Sequence, residues 1–183
     1  KTGEETSSGS FSREAIGSEL KGTYGSLIVN SDGSYRFTAN NADKLDAGDK
    51  EIDNFAYTLT DLTNEDSANI KIQVTGVNDA PTLSSITRGT VADQENSMSI
   101  SSANLTGQLI ASDPDESAVL EYGISSGSTT STVMNGSYGR LNVNSSTGAY
   151  TYTPDNAAVN NLAADQTVTE SFTLYASDGT LTS

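Results

Sequence analysis

Val74-Thr75-Gly76-Val77-Asn78-Asp79-Ala80-Pro81 divides the chain in two. Ahead of it, Ile70-Lys71-Ile72-Gln73-Val74 is apolar at every second position, the period of a half-buried β-strand. Beyond it, Thr82-Leu83-Ser84-Ser85 opens a new set of strands. Pro81 has no amide hydrogen and pushes Ala80 towards extended geometry, so the join reads as short and stiff. Asn78 and Asp79 place oxygen donors there. The expected organisation is all-β, with one sandwich module over residues 1–80 and a second over 81–183.

The residues on either side repeat. Gly22-Thr23-Tyr24-Gly25-Ser26-Leu27-Ile28-Val29-Asn30 matches Gly136-Ser137-Tyr138-Gly139-Arg140-Leu141-Asn142-Val143-Asn144 at six of nine positions. In the first copy a hairpin follows: Leu27 and Val29, a Ser31-Asp32-Gly33-Ser34 turn, then Tyr35 and Phe37. It recurs as Leu141 and Val143, Ser146-Thr147-Gly148, then Tyr150 and Tyr152. Leu45, Phe55 and Asp61 recur as Leu162, Phe172 and Asp178, 117 positions later each time. A repeat of that length is a domain rather than a solenoid unit.

The register leaves each module truncated at one end. Module one lacks about 34 residues that module two has between Pro81 and Gly136, with strands expected around 91, 105–110 and 119–124. Residues 1–21 read as a loop or weak edge strand. The counterpart of Ile70–Val74 falls at 187–191, beyond Ser183, so module two lacks its last strand. The sequence thus reads as a fragment of something longer, cut out of register, or as modules whose open edges another chain completes.

Composition narrows function. The 183 residues carry 24 acidic and 9 basic side chains, a formal net charge of −15. That balance opposes nucleic acid and anionic membrane surfaces as partners and suits divalent cations. There is no Cys, as in a reducing compartment or in an exported protein that relies on metal instead of disulfides. No apolar run reaches membrane-spanning length, and Lys1 opens no signal peptide. Without His or Cys, the Ser-His-Asp and Cys-His nucleophile systems and the usual zinc sites cannot be built. No enzyme is expected.

Seven or eight hairpin-connected strands per module, with polar turns at short intervals, indicate an immunoglobulin-like sandwich. In that topology the loops Asp113-Pro114-Asp115-Glu116 and Ser177-Asp178-Gly179 face the junction at Asn78-Asp79. The turn Leu45-Asp46-Ala47-Gly48-Asp49 approaches from module one. Clustered carboxylates repel unless a hard cation joins them, and Ca²⁺ accepts six to eight oxygen ligands in irregular geometry. In Asp-Pro-Asp the two carboxylates lie on one side of an extended strand, a spacing suited to chelation. The candidate calcium ligands are Asp46, Asn78, Asp79, Asp113, Asp115 and Asp178. Asp32-Gly33 is read as a turn alone.

Three segments carry a family resemblance: Gly22 through Phe37, Phe55-Ala56-Tyr57-Thr58-Leu59-Thr60-Asp61, and Val74 through Pro81. Together they resemble the VCBS repeats and cadherin-like domains of large bacterial surface adhesins and RTX-type exported proteins. Leu45-Asp46 is similar to the cadherin Leu-Asp-Arg-Glu turn, with Ala47-Gly48 in place of Arg-Glu. Gln94-Glu95-Asn96 is similar to the cadherin Pro-Glu-Asn motif and would serve the far pole of module two. The glycine-rich RTX nonapeptides do not occur. The resemblance implies an extracellular, non-catalytic, calcium-stiffened spacer used in adhesion and biofilm formation. Its partners would be neighbouring repeats of the same chain, with a glycan or protein ligand bound through other domains. The rival reading is a carbohydrate- or protein-binding accessory module, in which Tyr24, Tyr138 or Tyr175 would stack on sugars.

Overall fold

A computed structural model describes residues 5–11, 16–60, 63–93, 100–103, 105–127 and 129–183. Asp61 and Gln94-Glu95-Asn96 lie outside the described residues. The fold is nearly all β: seventeen strands and one five-residue helix are formed by the described residues. By compactness the chain divides into two units, Lys1–Asp79 with Pro114–Ser117, and Ala80–Asp113 with Ala118–Ser183.

The first unit has two three-stranded sheets. In one, β5 (Lys50–Thr60) lies between β1 (Glu5–Phe11), which runs parallel to it, and antiparallel β6 (Glu65–Thr75). In the other, β2 (Glu19–Lys21), β3 (Ser26–Val29) and β4 (Tyr35–Thr38) form a meander. Both strands drawn from residues 1–21, β1 and β2, are edge strands. The expected Leu27–Phe37 hairpin is present, with Leu27 opposite Phe37. Its turn closes through Gly33 N–H to Asn30 O at 3.0 Å, with Gly33 at φ +84°, where a side chain would be strained. Asp32 Oδ1 accepts from Ser34 Oγ and Ser34 N, and these bonds hold its carboxyl below the usual range.

Alternation places Leu27 and Phe55 inward, both 0 % exposed, with Leu45 and Val74 buried beside them. Phe37 and Phe55 meet edge to face across the sheets, ring centroids 6.2 Å apart. Phe55→Ala is expected to cost the first unit about 3–5 kcal/mol, because the cavity left between two sheets closes poorly. Urea denaturation followed by circular dichroism measures this.

The second unit repeats the plan with different edges. Strands β10 (Thr106–Gln108), β16 (Ala149–Pro154), β15 (Gly139–Val143) and β14 (Val133–Asn135) make one sheet, in that order. Strands β13 (Thr129–Ser131), β12 (Glu121–Ser126) and β17 (Thr173–Ser177) make another. Two short pairs complete it: β7 (Thr82–Leu83) with β11 (Ala111–Ser112), and β8 (Thr90–Asp93) with β9 (Ile100–Ala103). Leu109, Ile124, Leu141 and Val143 form the buried core, so side chains of both larger sheets meet inside. Tyr152 and Phe172 pair at 6.0 Å, the counterpart of Phe37 and Phe55. Helix α1 (Asn156–Asn160) is capped by Asp155, which accepts from Ala157 N and Ala158 N, and it buries Val159.

One turn recurs in detail. In the first unit Leu45 N–H donates to Ala42 O at 3.0 Å and Asp49 N–H to Asp46 O at 3.0 Å. In the second, 117 positions on, Leu162 N–H donates to Val159 O at 3.1 Å and Gln166 N–H to Ala163 O at 2.9 Å. The left-handed residue also recurs, as Gly48 at φ +83° and Asp165 at φ +63°.

Candidate functional site

The 46–49 turn is tied to the end of β6. Gly48 N–H donates to Gly76 O at 3.1 Å, and Gly76 N–H donates to Asp49 O at 2.9 Å. A Cβ at Gly76 would fall on the carbonyl oxygens of Leu45 and Asp46, so only glycine permits this approach. Asn78 and Asp79 follow two and three residues later, and Asn78 Nδ2 donates to Asp79 O at 2.9 Å.

The segment Pro114–Ser117 belongs to this same unit and brings its own acids. Asp115 is buried, 8 % exposed, and its Oδ2 accepts from Asp79 N at 3.0 Å. Ser117 N–H donates to Asp46 Oδ1 at 3.0 Å, and Glu116 N–H donates to Lys44 O at 3.3 Å. Three of the six expected ligands, Asp46, Asp79 and Asp115, are therefore drawn together from stretches more than thirty positions apart, and Asn78 adjoins them. Among the described residues, no three carboxylates already surround a single point closely enough to hold a metal ion.

Asp113 and Asp178 belong to the second unit. Asp113 directly follows β11. Asp178 Oδ1 accepts from Thr180 N at 2.6 Å and Leu181 N at 2.7 Å, the bonding of a turn-forming aspartate.

Negative charge in the first unit extends past the expected ligands. The Tyr24 phenol is held above its usual pKa by burial, and further by the charges of Glu51, Asp53, Glu116 and Asp49. Glu51 and Asp53 sit two apart on β5, so their side chains share the inner face; they are 9 % and 0 % exposed. Tyr24, Tyr138 and Tyr175 are all partly buried.

Asp53 was not singled out by the sequence motifs, yet it has a defined task. Its Oδ1 accepts from Thr23 N at 2.8 Å, and its Oδ2 accepts from Tyr24 N at 3.1 Å. Glu170, 117 positions later, does the same for Ser137 N and for Tyr138 N, and its Oε2 accepts from Tyr152 Oη at 2.8 Å. A Cβ on Gly22 or Gly136 would collide with the Asp53 or Glu170 carboxylate respectively. The Gly-x-Tyr-Gly motif is thus a backbone loop gripped by an inward carboxylate. Extending the 117-position offset to every acidic residue would have found the pair. No family model, curated protein or solved structure matches the chain.

Proposed function

We propose that the protein is a non-catalytic structural repeat of an extracellular bacterial adhesin, with two tandem cadherin-like sandwich modules braced by Ca²⁺. The observation that carries this reading is the gathering of Asp46, Asp79 and Asp115 by backbone hydrogen bonds. The adhesin setting rests on the resemblance to VCBS repeats.

The donor set suits the ion. Carboxylate oxygens are what Ca²⁺ selects, and its tolerance of irregular geometry fits ligands from a turn, a strand end and a loop. The Asn78 side-chain carbonyl adds a neutral oxygen donor to the set. An N–H bond to one carboxylate oxygen leaves the group able to coordinate through the other. Binding requires these side chains to turn towards a common point, which the mutual repulsion of the acids opposes until the cation arrives. Calcium then ties three stretches of chain together and stiffens a rod of successive modules.

Thermal melts in calcium and in chelator, with solution scattering for particle length, test the proposal. Calcium at ten times Kd contributes about 1.4 kcal/mol to the state that binds it, enough to raise Tm by several degrees. Chelator is expected to lower Tm and broaden the distribution of lengths. Asp115→Asn should abolish the difference. Identical melts and dimensions in both buffers would reduce the acids to a solvated surface.

A further inference from the structure

Three carboxylates are buried among the described residues: Glu51, Asp53 and Asp115, at 9 %, 0 % and 8 % exposed. Asp53 accepts from Thr23 N and Tyr24 N, and Asp115 accepts from Asp79 N. Glu51 differs: among the described residues, no hydrogen bond or ion pair is made by its side chain. We infer that Glu51 is a further calcium ligand, closing the position of Asp46, Asp79 and Asp115 from the inner face of β5. This rests on the metal reading above and extends its donor set.

The placement follows from β5. Glu51 stands opposite Val74, which is buried, and shares the inner face with Asp53 and Phe55. Lys50, next along the chain, is exposed on the other face. Two residues before Glu51, Asp49 O accepts from Gly76 N, so the strand leaves the 46–49 turn beside the acids already described. The 114–117 loop reaches the same place: the charges of Glu51, Glu116 and Asp49 all act on the Tyr24 phenol.

Strand formation does not ask for an acid at this position. The second copy has Val168 there, 117 positions on, between Leu162 and Phe172, which keep the same offset without a gap. An inward strand position suits an apolar side chain, and a carboxylate buried there is unfavourable until a cation joins it. Calcium takes six or more oxygens. One oxygen each from Asp46, Asn78, Asp79 and Asp115 leaves that shell short, and the two Glu51 oxygens complete it. Magnesium is smaller and keeps several waters, so it gains less from a carboxylate that binds through both oxygens. Glu51 therefore favours calcium over magnesium.

Calorimetric titrations of calcium and of magnesium into the metal-stripped whole chain test this. Glu51→Gln, which keeps the size and removes the charge, should weaken calcium by roughly tenfold or more and magnesium by less. Glu51→Val installs the side chain of the second copy. It should melt in chelator no lower than the parent, which establishes that it folds, and should weaken calcium at least as much as Glu51→Gln. Terbium, standing in for calcium, reports position through emission sensitised by a nearby tyrosine ring. Tyr24→Phe should remove most of that emission while calcium affinity stays within about twofold. Terbium emission indifferent to Tyr24→Phe would put the ion away from Glu51 and overturn the inference. So would a calcium affinity that both Glu51 variants leave unchanged while Asp115→Asn weakens it, and the metal reading would then stand without Glu51. A parent chain that binds no calcium would overturn that reading and this inference together.

Discussion

Asp53→Ala is expected to destabilise the first unit by about 2–5 kcal/mol, the cost of leaving two inward backbone N–H groups without their acceptor. The side chain is 0 % exposed, so water cannot readily take its place at Thr23 N and Tyr24 N. The loop it grips begins the hairpin whose Leu27 and Phe37 face Phe55, so loosening the loop also loosens the contact between the sheets. Asp53→Asn keeps one acceptor oxygen and should lose less. Glu170→Ala should act in the same direction on the second unit, more mildly because Glu170 is partly exposed. Urea titrations of each variant, with backbone amide shifts of Thr23 and Tyr24, give the comparison. An Asp53→Ala protein within about 0.5 kcal/mol of the parent would show the grip to be ornamental.

Alkali should unfold the second unit before it ionises Tyr152. Burial of the phenol, then its hydrogen bond to Glu170 and the charges of Glu170 and Asp155, raise its pKa far above the ordinary value. The folded state therefore holds the proton more tightly than the unfolded state. Stability is complete below the unfolded pKa of about 10 and declines as pH rises through the interval up to the folded value. The part of the phenolate absorbance that is absent from a Tyr152→Phe variant should appear together with loss of sheet dichroism. Glu170→Gln removes the charge and should bring ionisation to lower pH. Ionisation of Tyr152 near pH 10 with both sheets intact would sink the argument.

Alternation and turn chemistry carried much of the fold. Ile70-Lys71-Ile72-Gln73-Val74 declares its inner face, and Gly33 and Gly148 mark their hairpins, because those signals are local. The repeat offset was equally legible and extends to side-chain roles, as Asp53 and Glu170 demonstrate. Less visible was the grip itself: an inward carboxylate on a strand reads as an interruption of the apolar pattern until its backbone donors, some thirty positions away, are known. At the candidate site, Asp46, Asp79 and Asp115 were named from motif spacing, and hydrogen bonds bring them together. Asp49 and Glu116 lie in the quoted segments without being named as ligands, and Glu51 stands outside every motif; the charge all three put near Tyr24 depends on how strand β5 and the 114–117 loop fold. Asp178, by contrast, spends its Oδ1 on its own turn, a bond that Asp-Gly announces locally.

The recurrent turn gives the protein an internal control. Ala163 and Gln166 stand where the first copy has Asp46 and Asp49, yet the backbone closes in the same way at both places. Folding therefore does not demand acid at either position, and the chain already contains the benign version of an Asp46→Ala exchange. Whatever such an exchange abolishes in the first copy can be assigned to the carboxylate and the bond it accepts from Ser117 N, not to failure of the turn backbone.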